Sequence, residues 1–264
     1  MGRSVMVYFC KSKCKFSMKQ RYFLRLAYNG KAFSGWQIQP NVPSVQQTLN
    51  EALSRLLREP IYVVGAGRTD TGVHAECMYC HFETTANTDE LVFKLNRYLT
   101  HEVSVYDLKP VLPKAHARFD ALWRSYIYRL HFDKSPFLYG LSYCHFTHLD
   151  FDAMNRAAAL MVGEHSFRAF EKSRAQENTG ICNVTRAEWV KEGNEWLFHI
   201  TANRFLRNMV RAVVGTLIEI GEGKRPMESI PRLLQSENRS DAGTSVPPQG
   251  LYLSDIQYPD HIFI

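Results

Sequence analysis

The residues of this chain best suited to chemistry lie in one short polar run, "GAGRTDTGVHA", residues 65–75. Asp70 stands there between two threonines, with Arg68 before it and Gly72 after it. Two chemistries use such a carboxylate. Asp-Thr-Gly is half of an aspartic protease site, and Asp241-Ala242-Gly243-Thr244 could pass for the other half. Alternatively, one carboxylate attacks an electrophilic carbon while cations around it keep it charged.

The protease reading asks for an apolar strand running straight into each aspartate, and for two carboxylates that share a proton. Arg68 occupies a position where that strand should be apolar, and Asp241 follows the polar stretch "SENRS" at 236–240. A cation beside a carboxylate also favours the ionised form, which opposes proton sharing. The lone nucleophile is the better fit, set against the plainer possibility that Asp70 caps a turn and pairs locally with Arg68.

Further residue groups supply context. Arg204, Arg207 and Arg211 in "RFLRNMVR" recur at spacings of three and four, which on a helix lines up one basic face suited to phosphates. "LWRSYIYRL" alternates Tyr126 and Tyr128 with Arg124 and Arg129, a strand pattern that can stack unpaired bases. The net charge of +6 is compatible with a polyanionic partner. Zinc is not expected. Cys10 and Cys14 lie in the N-terminal run, and Cys77 and Cys80 fall on a predicted strand, where residues three apart point to opposite faces. Six cysteines without a secretory signal read as free thiols. The absence of a long apolar run excludes a membrane span, and the expected location is cytoplasmic.

The elements needed to hold these residues follow one grammar, used twice. "RYFLRLAYN" is a strand, and "PSVQQTLNEALSRLLRE" a helix capped by Ser44. "IYVVGA" and "CMYCHFET" are strands around the Asp70 loop. "TDELVFKLNRYL" is a helix with Thr88 at its cap and acidic residues in its first turn, and "VSVYDLKPV" a strand. The second half repeats the order with "RSYIYRLHF", "DFDAMNRAAALMVG", a hairpin turning at Gly193-Asn194, a long helix from Phe205, and "GLYLSDIQY". A shorter helix, "MESIPRLLQS", precedes the last strand. The expected fold is therefore α+β: two ferredoxin-like, RRM-like βαββαβ halves, with mixed, mainly antiparallel sheets and a catalytic cleft between them. The expected division is an N-terminal extension at 1–19, a half at 20–115 carrying Asp70, and a half at 116–264.

At this point a resemblance is specific. "GAGRTDTGVHA" resembles the signature of the TruA family of tRNA pseudouridine synthases. "YNGKAFSGWQIQP" (28–40), "HARFDALWRSYIY" (116–128), "ANRFLRNMVRAVVGTL" (202–217) and "PPQGLYLSDIQYP" (247–259) resemble its other blocks in the same order. The resemblance implies an isomerase, an intramolecular transferase that converts uridine to pseudouridine at positions 38, 39 and 40 of the tRNA anticodon stem-loop. It implies no cofactor, no metal, and a homodimer with tRNA lying across both subunits. It further implies Asp70 as the catalytic residue, Tyr126 packing on the target base, and Arg211 as the ion-pair partner of the carboxylate. Arg68 is implied to hold the flipped nucleotide, and Leu251 to line the base pocket. The chain departs from the family at Ser125, where many members carry a basic residue, and in its N-terminal extension. A non-catalytic RNA-binding module would explain the tyrosines and arginines equally well, but leaves Asp70 without a role beside phosphates.

Overall fold

A computed structural model describes residues 19–172 and 179–264. Residues 1–18, which hold Cys10, Cys14, Met18 and almost all of the expected extension, lie outside the described residues.

The chain builds β1 (Gln20–Tyr28), α1 (Val45–Leu57), β2 (Val64–Gly65), β3 (His74–Thr84), α2 (Leu91–Tyr98) and β4 (Val103–Val111). It continues through β5 (Trp123–His131), β6 (Tyr143–Cys144), α3 (Phe151–Ala159), β7 (Gly163–Ser166), β8 (Ile181–Glu192) and β9 (Glu195–Ala202). Then follow α4 (Met209–Gly221), α5 (Ser229–Gln235) and β10 (Leu251–Gln257).

The local signals act as their chemistry requires. Ser44 accepts a hydrogen bond from the Gln47 amide and starts α1, whose Val45, Leu49, Leu53 and Leu57 are buried. The β8–β9 hairpin turns at Gly193, with φ +58. Two expectations shift. The helix at 88–99 begins only at Leu91, because Glu90 adopts a left-handed φ of +58; Asp89 and Glu90 thus lie ahead of the helix, not in its first turn. In "IYVVGA" only Val64 and Gly65 pair as strand. The amides of Ile61 and Val63 instead donate to Ser54 Oγ and Asn50 Oδ1 of α1, both at 2.8 Å. Backbone donors must be satisfied, and here a helix supplies the acceptors that a strand would otherwise offer.

All described strands join one sheet in the order β4-β1-β3-β10-β5-β9-β8-β7, with β2 on β3 and β6 on β5. The pairings are antiparallel except β10 with β3 and β6 with β5. The last strand therefore fills the middle. β10 lies parallel to the start of β3 (Tyr252 opposite His74) and antiparallel to β5 (Leu253 opposite Tyr126). β2 takes the far end of the same β3 edge, at His81 and Cys80.

Two apolar cores flank this seam. One gathers β1, β3, α1 and α2 with Leu253 and Ile256 of β10; the other gathers α3, α4 and β9 with Leu251 of the same strand. Leu251 and Leu253, two apart and so on one face of β10, pack into different cores, so one strand feeds both. α4 is buried nearly all round, with Val210, Val213, Val214, Leu217 and Ile220 inside. At ~1.5–3 kcal/mol for each buried aliphatic side chain, its packing outweighs any surface ion pair in the protein. Among the described residues no helix is long and apolar enough to cross a membrane.

Candidate active site

Asp70 sits in the loop between β2 and β3, and its surroundings fix that loop from several sides. The Val73 amide donates to the Asp70 carbonyl at 3.1 Å, closing a turn whose third residue, Gly72, has φ +77. A turn of that kind needs a glycine there. Thr69 is buried and shares a 2.9 Å hydrogen bond with the Tyr28 hydroxyl, while its carbonyl accepts from the Trp36 amide at 3.3 Å. The segment at 30–36 presses backbone against backbone. A Cβ on Gly35 would lie 2.4 Å from the Thr69 carbonyl oxygen, and one on Gly30 would lie 2.0 Å from that of Val73. Two separated sequence blocks, 28–40 and 65–75, thus make one rigid platform.

The carboxylate's ion-pair partner is Arg211, in the first turn of α4. Arg211 Nη1 lies 3.6 Å from Asp70 Oδ2, and the two side chains are 18% and 32% exposed. Arg211 Nε donates to the Val246 carbonyl at 2.7 Å, which aims the guanidinium. A 3.6 Å approach is a charge pair, not a tight hydrogen bond, so the carboxylate oxygens keep open lone pairs. A partly exposed pair of this kind contributes at most about 1 kcal/mol to stability. Its value is orientation and charge.

Tyr126 stands on β5 at the meeting of the two cores. Its ring meets Phe205 edge to face, with centroids 5.0 Å apart and planes at 82°. Burial pushes the Tyr126 phenol up to about 12; the Arg124 cation opposes this and the Asp70 carboxylate adds to it. The phenol is therefore neutral at physiological pH and lies within the field of Asp70. Tyr128 faces the same side, as strand alternation requires, but is closed in: it is fully buried and donates to the Pro247 carbonyl at 2.9 Å. Of the two tyrosines, only Tyr126 is partly exposed. Leu251 is buried opposite Tyr128 in the β5–β10 register.

The arginine stripe does not form. The helix expected from Phe205 begins at Met209, because Asn208 takes a left-handed φ of +65 and donates to Ser245 Oγ at 2.6 Å. Asparagine tolerates that conformation better than most residues. Phe205 then folds onto Tyr126 and Leu206 is buried, so Arg204 and Arg207 lie on an irregular segment while Arg211 alone rides the helix. Arg207 is exposed, Arg204 half-buried. Arg68 is exposed as well, and the local pairing with Asp70 that its position suggests gives way to Arg211.

The remaining expected groups have structural partners. The Asp241 carboxylate accepts from Ser236 Oγ at 2.5 Å and Asn238 Nδ2 at 3.3 Å in an exposed turn, which leaves Asp70 to act singly. His74 Nδ1 accepts from the Gly30 amide at 3.1 Å, which puts its proton on Nε2, and its ring stacks on Tyr252. His116 Nδ1 accepts from the Arg118 amide at 3.1 Å. Burial pushes the pKa of both histidines down. Cys77 and Cys80 are buried free thiols on β3. Among the described residues no group of three or more His, Cys, Asp or Glu could hold a metal.

Sequence reasoning passed over Phe205 and the anchoring pair Tyr28 and Thr69. Phe205 is hidden by the helical spacing that surrounds it. Tyr28 and Thr69 are 41 residues apart, and no local pattern links them.

Comparison with known proteins gives the family. A family model described as tRNA pseudouridine synthase matches residues 157–259. The tRNA pseudouridine synthase A of Parabacteroides distasonis is 47% identical over 247 residues, 92% of this chain and 98% of the relative. That of Porphyromonas gingivalis is 46% identical over 250 residues, covering 92% and 99%, and that of Bacteroides thetaiotaomicron 46% over 249, covering 92% and 93%. Likeness at this level over nine-tenths of the chain shows that it belongs to the tRNA pseudouridine synthase A family.

Proposed function

We propose that this protein isomerises uridine to pseudouridine in tRNA, at positions 38, 39 and 40 of the anticodon stem-loop, with Asp70 as nucleophile. The observation that carries this reading is the Asp70–Arg211 pair, 3.6 Å apart, at the seam where Tyr126 lies. The non-catalytic alternative has no support from relatives that are named as synthases.

The target uridine leaves its stack, at low cost in a loop or at a stem end. Tyr126 and Leu251 hold the base, and Arg68 holds the flipped nucleotide. Arg204 and Arg207 contact phosphates. A carboxylate oxygen of Asp70 attacks C1′ of the ribose, and the bond from C1′ to N1 breaks with its electron pair leaving on the uracil. The uracil turns and C5 attacks C1′, which frees the carboxylate. The C5 proton is then lost and N1 gains one, so the product is an isomer of the substrate. Arg211 holds the carboxylate oriented for attack and faces its charge again when it is released. Water must be excluded during the turn, or the ribosyl ester would hydrolyse.

The wider reading has separate supports. We read residues 20–115 and 116–264 as two ferredoxin-like units, supported by the shared strand orders β4-β1-β3-β2 and β10-β5-β9-β8. We infer a homodimer working on tRNA in the cytoplasm. Phe137, Tyr139 and Phe146, exposed by 87%, 78% and 80% on one loop region, support an interaction surface.

The test uses an unmodified tRNA transcript tritiated at C5 of uridine. Tritium release and a pseudouridine map limited to positions 38–40 are expected. No release, or a map confined to other regions, would sink the proposal.

A further inference from the structure

Arg124 lies at the seam and donates three side-chain hydrogen bonds, each to a backbone carbonyl. Its Nη2 donates to the Ala66 carbonyl at 3.0 Å and to that of Arg118 at 2.7 Å; its Nη1 donates to that of Asn203 at 3.2 Å. Each carbonyl belongs to a different loop. Ala66 lies in the polar run at 65–75, four residues before Asp70. Asn203 lies two residues before Phe205, the ring that walls Tyr126. Arg118 lies in the turn at 116–120, which leads into β5. Arg124 itself is on β5, two residues before Tyr126 and so on the same face, held in register by Ile256 of β10 and Ala202 of β9.

The arrangement is unfavourable as a device for stability alone. Burial disfavours the charge on this guanidinium; Tyr126 and Tyr258 partly offset this, while the Arg118 and Arg204 cations add to it. What it provides is geometry. A planar fork can hold several carbonyls in fixed relation, which the single ammonium of lysine cannot reproduce.

We propose that Arg124 is a positioning residue for the isomerisation, setting the spacing between the Asp70 loop, Tyr126 and Phe205 through its three carbonyl bonds. This rests on the roles of Asp70 and Tyr126 proposed above. Displacing a nucleophile by about 1 Å costs on the order of a hundredfold in rate, while RNA contacts elsewhere are untouched.

The experiment compares wild type, Arg124→Lys, Arg124→Gln and Asp70→Ala in single-turnover isomerisation with enzyme in excess. Equilibrium tRNA binding and thermal melting are measured alongside. Both Arg124 variants are expected to lose about ten- to a hundredfold in the saturating single-turnover rate, with tRNA Kd within about twofold of wild type. A Lys variant as fast as wild type would overturn the proposal, since charge alone would then suffice. So would weakened binding with an unchanged saturating rate, which makes Arg124 an RNA contact. If both variants are unfolded at the assay temperature, Arg124 is a staple of the fold and the proposal falls. An inactive wild type, or an active Asp70→Ala variant, would instead refute the functional reading on which it rests.

Discussion

Arg211 reaches Asp70 across 3.6 Å while its own Nε is tied to the Val246 carbonyl at 2.7 Å. One end of the guanidinium is thus anchored to backbone and the other is aimed at the carboxylate. Asp70→Asn is expected to reduce tritium release from uridine C5 by about a thousandfold or more, because the amide cannot serve as the nucleophile. tRNA binding should persist, measured by filter retention. Turnover by the Asn variant near the wild-type rate would remove Asp70 from the mechanism.

Arg211→Met separates orientation from stability. The pair is partly exposed, so the melting free energy is expected to change by no more than about 1 kcal/mol from loss of the ion pair. The single-turnover rate is expected to fall by about ten- to a hundredfold, because the carboxylate loses both its charge partner and its orientation. Equal rates for the two proteins would contradict the assignment.

Gly35→Ala tests the platform under the catalytic turn. The residue has φ +91, and its new Cβ would lie 2.4 Å from the Thr69 carbonyl oxygen. Destabilisation of about 1–3 kcal/mol is expected in urea unfolding, together with a loss of activity as the Asp70 loop shifts. Gly193→Ala, with φ +58 and open space around it in the distant β8–β9 turn, should lose stability but keep the saturating single-turnover rate. A Gly35 variant that matches wild type in both measurements would show that the close approach is dispensable.

Stability should fall at mildly acidic pH. His81 is buried, its Nδ1 accepts from the Ala117 amide at 3.1 Å, and burial lowers its pKa from 6.5 to about 4, with the neighbouring His116 and Arg21 adding to the effect. The unfolded chain binds the proton first. The contribution is therefore whole above about pH 6.5 and is lost as pH falls toward 4, with a slope of up to ~1.4 kcal/mol per pH unit. His81→Gln, which keeps an acceptor but does not titrate, should flatten the urea midpoint against pH between those values. An unchanged profile would mean other groups set it.

The exposed ring cluster invites a test of assembly. If these rings carry the proposed dimer contact, replacing Phe137, Tyr139 and Phe146 with serine together converts that dimer to monomer in sedimentation equilibrium, with the fold preserved by circular dichroism. A triple variant that sediments like wild type would put the subunit contact elsewhere.

Much of this molecule is legible in its residues because much of it is decided locally. Ser44 caps α1 through an amide three residues away, and Gly193 turns the β8–β9 hairpin by its own φ. Gly72 lets Asp70 sit in a tight turn. These depend on near neighbours in the chain, which sequence displays directly. The tertiary structure decided what such spacing cannot carry. Helical periodicity put Arg204 and Arg207 on one face with Arg211, but Asn208 in its left-handed conformation and the packing of Phe205 and Leu206 overrode it. Spacing by itself offers Asp70 the neighbouring Arg68; the family resemblance named Arg211 instead, and the fold brings that residue in from the far half of the chain. That meeting exists because β10 closes between β3 and β5, burying Leu251 in one core and Leu253 in the other. Choosing which sheet edge a final strand fills is a matter of total apolar burial and backbone pairing, a sum over the whole molecule that no short stretch of residues contains.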